Sequence, residues 1–148
     1  MGFFSKRHNG VIEYSNGRYE GELNRLGKRD GYGVMRFDDG DVYEGEWKDG
    51  KRHGQGEYFY YPDERYVGGW YEGQRSGYGT YYYASGTRIE GTFKNNLVVY
   101  GTIYWTNGNK CEGPFDSHAK LHGNCRYTPA YGSAYDCVYE HGTCISKL

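Results

Sequence analysis

Tyr43-Glu44-Gly45-Glu46-Trp47-Lys48-Asp49-Gly50-Lys51-Arg52-His53-Gly54-Gln55-Gly56-Glu57-Tyr58-Phe59-Tyr60 decides the fold, because most of the remaining chain repeats it. Its first five residues recur as Tyr19-Glu20-Gly21-Glu22-Leu23, Tyr66-Val67-Gly68-Gly69-Trp70, Ile89-Glu90-Gly91-Thr92-Phe93, Cys111-Glu112-Gly113-Pro114-Phe115 and, more loosely, Tyr135-Asp136-Cys137-Val138-Tyr139. Starts at 19, 43, 66, 89, 111 and 135 lie 22 to 24 residues apart, the mark of a tandem repeat. A Gly-x-Gly pair follows in the first copies, at Gly31/Gly33, Gly54/Gly56 and Gly77/Gly79, and decays to Val99/Gly101 and Leu121/Gly123.

Each copy reads as strand, tight turn, strand and short loop. Asn16-Gly17, Asp39-Gly40, Ser85-Gly86 and Asn107-Gly108 are hairpin signals, since glycine accepts the positive φ such turns demand. Tyr61-Pro62-Asp63-Glu64 and the longer Thr128-Pro129-Ala130-Tyr131-Gly132-Ser133 replace that signal in two hairpins. Alternation along a strand places Tyr43, Gly45 and Trp47 on one face and Glu44 and Glu46 on the other. Stacked copies then form columns. One runs Tyr19, Tyr43, Tyr66, Ile89, Cys111, Tyr135; a second Leu23, Trp47, Trp70, Phe93, Phe115, Tyr139; a third, on the partner strands, Tyr14, Phe37, Tyr60, Tyr83, Trp105, Tyr127. The glycines between the first two leave bare backbone for rings to lie across. With 19 tyrosines and 25 glycines among 148 residues, the core has to be aromatic rather than aliphatic. Each buried ring removes roughly 150–250 Å² from water, which supplies the apolar area a one-layer sheet otherwise lacks.

The expected fold is all-β: a single-layer antiparallel β-hairpin solenoid of about six repeats, a lead-in over 1–7 and one domain over 8–148. The best repeats span 19–93 and degenerate ones 94–148. Eighteen basic against nineteen acidic residues leave no charge excess that would point to nucleic acid. No apolar run is long enough for a transmembrane segment, and the start lacks a signal-peptide core, so an intracellular, cytoplasmic or cytoskeletal protein is expected. Met1-Gly2-Phe3-Phe4-Ser5-Lys6 misses a myristoylation signal by one position, and Ser146-Lys147-Leu148 spells a peroxisomal import tripeptide where it is a native exposed end.

The pattern resembles the MORN (membrane occupation and recognition nexus) repeat, with its Tyr-Glu-Gly-Glu-Trp, His-Gly-x-Gly and Asp-Gly elements, over about residues 8 to 145. The resemblance implies a single-sheet hairpin solenoid that serves as a scaffold, an accessory module or a part of ciliary and cytoskeletal assemblies, without catalysis of its own and without a cofactor. No nucleophile, base and orienting group stand together, and His53 fills the ordinary His-Gly-x-Gly position.

Partner contacts are therefore expected from protein surfaces. Tyr32, Tyr78 and Tyr100 sit at the tips of the Gly-x-Gly positions as amphipathic anchors. The apolar stretch Leu97, Val98 and Val99 breaks the pattern where specialised contacts belong. Open sheet ends invite a partner strand or a homodimer. Arg29, Arg52 and Arg75 recur in register as a basic row that could touch an anionic lipid surface, with Asp30, Asp49 and Glu72 beside them to cancel its field. Cys111, His118, His122, Cys125, Cys137, His141 and Cys144 crowd the C-terminal third. Buried free thiols are the expected state, with a zinc site at Cys125, Cys137, His141 and Cys144 as the alternative. Cys125 and Cys144 stand at analogous positions, so a disulfide between them would fit an oxidising compartment.

Overall fold

The computed structural model describes residues 6–148; the near-miss lipidation signal and most of the lead-in fall outside them. The chain divides into two compact units, 1–74 and 75–148, and the divide falls among the repeats that keep the pattern best. All structure among the described residues is strand and turn. Unit 1 holds β1 (His8–Tyr14), β2 (Gly17–Leu23), β3 (Arg29–Phe37), β4 (Val42–Lys48), β5 (Lys51–Tyr60) and β6 (Glu64–Tyr71). Unit 2 holds β7 (Gln74–Tyr82), β8 (Arg88–Lys94), β9 (Leu97–Tyr104), β10 (Lys110–Pro114), β11 (Gly123–Thr128), β12 (Tyr135–Glu140) and β13 (Thr143–Lys147). Within each unit every strand pairs antiparallel with its neighbour in the chain, giving a single layer of hairpins.

The core of unit 1 is a zipper of alternating tyrosine and tryptophan. Tyr19 meets Trp47, Trp47 meets Tyr43, Tyr43 meets Trp70 and Trp70 meets Tyr66, with ring centres 5.0 to 5.4 Å apart and planes 83° to 89° apart. Edge-to-face rings place the positive edge of one on the negative face of the next. The polar atoms are satisfied too. Tyr19, Tyr43 and Tyr66 hydroxyls donate to the carbonyls of Glu22, Glu46 and Gly69, and the Trp47 and Trp70 indoles to those of Gly33 and Gly56.

This packing explains both glycines of Gly-x-Gly. Gly54 adopts φ 64° beside the Glu46 carboxylate, which accepts the amide of Gln55; a Cβ at Gly56 would overlap the Tyr43 hydroxyl lying across it. Three of the four hairpin glycines named above, Gly40, Gly86 and Gly108, have positive φ. Gly17 does not: the turn is Ser15–Asn16, and Gly17 opens β2 as a glycine because a side chain would strike the Arg36 carbonyl.

In unit 2 the ladder thins to Ile89, Phe93, Val98, Cys111, Leu121, Cys125, Cys137 and Tyr139. Two expected registers shift by two residues. Gly123 faces Tyr139 as Gly54 faces Trp70, so it is the first glycine of its pair, and Cys125 occupies the second. Tyr127 pairs with Cys111 and Tyr135 as Tyr58 pairs with Tyr43 and Tyr66, and so leaves the Phe37 and Tyr60 column expected for it. The reason is spacing: Tyr127 stands eight residues before Tyr135, as Met35 does before Tyr43, Tyr58 before Tyr66 and Tyr81 before Ile89, whereas Tyr60 stands six before Tyr66. Cys111 stands where a tyrosine ring would cover a glycine, and Cys125 and Cys137 in the glycine column fill the space that ring vacates.

Candidate functional site

Arg29, Arg52 and Arg75, expected as a basic row for an anionic surface, are engaged with groups of the chain itself. The Arg29 and Arg52 guanidiniums donate to the carbonyls of Gly50 and Gly73 in the following inter-hairpin turn, 21 residues on in each case, and the Arg75 guanidinium does the same to Asn96. Amide hydrogen bonds return from Gly50 to Arg29, from Gly73 to Arg52 and from Asn96 to Arg75. Above the rings, Arg29 lies 4.3 Å from the Trp47 centre, Arg52 4.9 Å from Trp70 and Arg75 5.5 Å from Tyr81. Half-buried and stacked on aromatic faces, these cations latch a strand to the next turn.

The opposite face carries the exposed aromatics. Tyr32 in unit 1 is 53 % exposed; in unit 2 Tyr78 is 67 % and Tyr100 49 % exposed. Register runs Tyr78 opposite Thr92, Thr92 opposite Tyr100 and Tyr100 opposite Pro114, so the two tyrosines of unit 2 share one cross-strand row. The Tyr100 hydroxyl donates to Glu112, which together with desolvation pushes its phenol upward. Leu97 and Val99 are exposed beside the turn, whereas Val98, expected with them as a contact residue, is 4 % exposed. A register shift at Thr92/Phe93 explains the difference: Val98 opposes the buried Phe93, and Val99 bulges between it and Tyr100.

The cysteines are free, three buried and Cys144 exposed. Burial raises the Cys111, Cys125 and Cys137 thiols, which suits packing rather than nucleophilic or metal-binding chemistry. Cys125 opposes Cys137, and Cys144 opposes Tyr139, so no Cys125–Cys144 bridge forms. Among the described residues the ligand atoms that converge belong to Asp116, His122 and His141, all within 4.8 Å of one another, and not to the Cys125, Cys137, His141 and Cys144 set. The C-terminal tripeptide is committed to the sheet: Ser146 opposes Val138, Lys147 opposes Cys137, and the Leu148 amide donates to Asp136.

Asp116 stands in the loop between β10 and β11, His122 just before β11, and His141 opens the turn between β12 and β13 at φ 47°. The Asp116 Oδ1 accepts the amides of His118 and Lys120, and its Oδ2 lies 2.8 Å from His141 Nδ1. His122 Nδ1 accepts the His141 amide at 3.2 Å, and the two imidazoles lie 4.6 Å apart. The bond to His141 and the loop amides hold the Asp116 carboxyl down at about 2. An open groove of about 550 Å³ adjoins this corner, lined in part by Trp105, Phe115, His118 and His141.

The sequence singled out the two histidines but missed Asp116. A signal for it existed. Asn24 caps its loop through the amides of Leu26 and Lys28 as Asp116 does through those of His118 and Lys120, and each reaches a turn residue 25 positions on, Asp49 or His141.

A family model described as MORN repeat matches residues 19–42, 43–63, 66–88 and 90–110. Comparison with curated proteins finds no match. The Asp116 corner and all four cysteines lie past the last matched repeat.

Proposed function

The chain belongs to the MORN repeat family, and from that premise we propose that it is a non-enzymatic scaffold docking on partner proteins as a structural subunit of a larger intracellular assembly, axonemal, cytoskeletal or organellar. Repeats of this family are protein- and membrane-interaction modules. The observation that carries the protein-docking reading is the uncovered Tyr78 and Tyr100 row. Both rings are exposed on the same cross-strand row, and Tyr100 keeps a polar tip held by Glu112. Large amphipathic rings on a rigid support cost little entropy to immobilise and are enriched at protein interfaces.

The membrane reading loses its anchor, because the arginines meant for headgroups are spent on carbonyls and rings of their own sheet. No helix among the described residues is long and apolar enough to cross a membrane.

Purification of the native protein by an affinity tag, followed by sizing and mass spectrometry, tests the proposal. Co-purifying proteins that are lost from a Tyr78→Ser/Tyr100→Ser double variant are the expected result. Recovery only as a free monomer, or equal recovery of partners by wild type and variant, overturns it. Acidic vesicles at low salt separate the rival: strong co-sedimentation abolished by salt would favour lipid.

A further inference from the structure

We propose that Asp116, His122 and His141 form a binding site for a divalent metal ion of the zinc class, which staples together the two turns that close unit 2. Two imidazoles and a carboxylate are the donor set suited to zinc, and a fourth position open to water completes a tetrahedron. Their ligand atoms already lie within 4.8 Å of one another, brought from three separate places in the chain.

The supports that a metal ligand needs are also present. Asp116 presents Oδ2 because its Oδ1 is held by two backbone amides at 2.8 and 3.1 Å, an outer set of hydrogen bonds of the kind that orients ligating carboxylates. Both histidines turn Nδ1 toward the corner: His141 toward Asp116, His122 toward the His141 amide. An ion seated there takes the place of both the His141–Asp116 hydrogen bond and the bond that His122 Nδ1 accepts from the His141 amide, with both histidines in the tautomer protonated at Nε2. The His141 side chain is 68 % and the Asp116 side chain 12 % exposed, so the ion has an entry path while its carboxylate is sheltered.

The corresponding corner of unit 1 is an internal control. There Asn24, Asp30 and Asp49 hold the same places: Asp30 accepts the Asp49 amide 19 residues on, as His122 accepts the His141 amide 19 residues on, and Asn24 bonds the Asp49 side chain. That corner is closed by an amide and by Arg7, which pairs with Asp30. The backbone arrangement therefore caps turns without a metal, and the C-terminal copy has exchanged its side chains for ligands.

Isothermal titration of the full, metal-stripped chain with zinc sulfate, and separately with cobalt chloride followed by absorption, tests the site. The expected result is one saturable equivalent, cobalt d–d bands without a thiolate charge-transfer band, and affinity lowered at least about tenfold in His141→Ala and in Asp116→Asn. Asn24→Ala and Cys144→Ser should bind as wild type. Circular dichroism verifies that each variant is folded, and a zinc-dependent rise in unfolding temperature should vanish in Asp116→Asn, which keeps the shape of the loop cap. Absence of saturable binding by the wild type, retention of full affinity in both ligand variants, or a thiolate band lost with Cys144→Ser overturns the proposal.

Discussion

The two units solve one packing problem in two ways. In unit 1 a tyrosine ring lies across each glycine and a tryptophan closes the gap between rings; in unit 2 the tyrosine becomes Cys111 and the glycine column takes Cys125 and Cys137. The Asn24 and Asp116 corners repeat the lesson: one hydrogen-bonded frame holds Asn24, Asp30 and Asp49 in one unit and Asp116, His122 and His141 in the other. Backbone pairing thus sets positions, while side chains exchange in compensating groups. A repeat can change its chemistry without changing its fold.

The largest effect that separates the units should come from Trp47→Ala. It removes a buried ring, its bond to Gly33 and two edge-to-face partners, a loss of about 3–5 kcal/mol in urea unfolding. Cys111→Ala should cost about 1 kcal/mol, since only one sulfur leaves. Equal losses would erase the contrast between an interlocked and a filled core. Next comes Gly56→Ala, where a methyl would collide with the Tyr43 hydroxyl, at about 1–3 kcal/mol. Cys125→Ala, at the equivalent place, should melt within a few degrees of wild type, because that column already holds a side chain.

Arg52→Met should lower stability by about 1–2 kcal/mol through loss of the Gly73 bond and the ring contacts. A variant as stable as wild type would return this arginine to the role of a surface charge. The smallest difference is in acid. The Asp116 carboxyl is depressed from 3.8 to about 2, so the stabilisation it lends is present above pH 3.8 and fades as the pH falls toward 2. Asn24 has nothing to titrate. Melting curves of wild type and Asp116→Asn should therefore converge in that window, and parallel curves would show that the carboxylate contributes nothing.

The columns of unit 1 were legible because period two and period 23 reinforce each other over several copies. The arginines were misread for a reason that the same parity could have corrected. Lys28-Arg29 looks like a solvated loop pair, yet Arg29 shares its strand face with Gly31, Gly33 and Met35, and Arg52 shares its face with Gly54, Gly56 and Tyr58, so each points at the rings. Val98 was misplaced because a bulge breaks alternation between it and Tyr100, and bulges leave no mark in composition. The places of Tyr127 and Gly123 escaped because residue type was matched ahead of spacing: Tyr127 stands eight residues before Tyr135 as Tyr58 does before Tyr66, and Gly123 sixteen before Tyr139 as Gly54 does before Trp70. Asp116 was missed for a different cause: it follows Phe115 as Asn24 follows Leu23 in one column, but the intervening copies carry Lys48, Tyr71 and Lys94 there, so residue type did not mark the position.

The arginine latch also carries a rule about how such a chain can grow. Each guanidinium reaches a turn 21 residues further on, so a gene duplication or deletion of one whole copy in phase preserves the latch on either side of the splice, whereas one out of phase strands a cation over its rings. The Leu121 carbonyl receives the Gly142 amide just as the Arg29 carbonyl receives that of Gly50, but no guanidinium answers it. The arginine's place is already taken one copy earlier, where Val98 faces Phe93 as Arg52 faces Trp47, so the latch that makes in-phase copying self-consistent ends with Arg75.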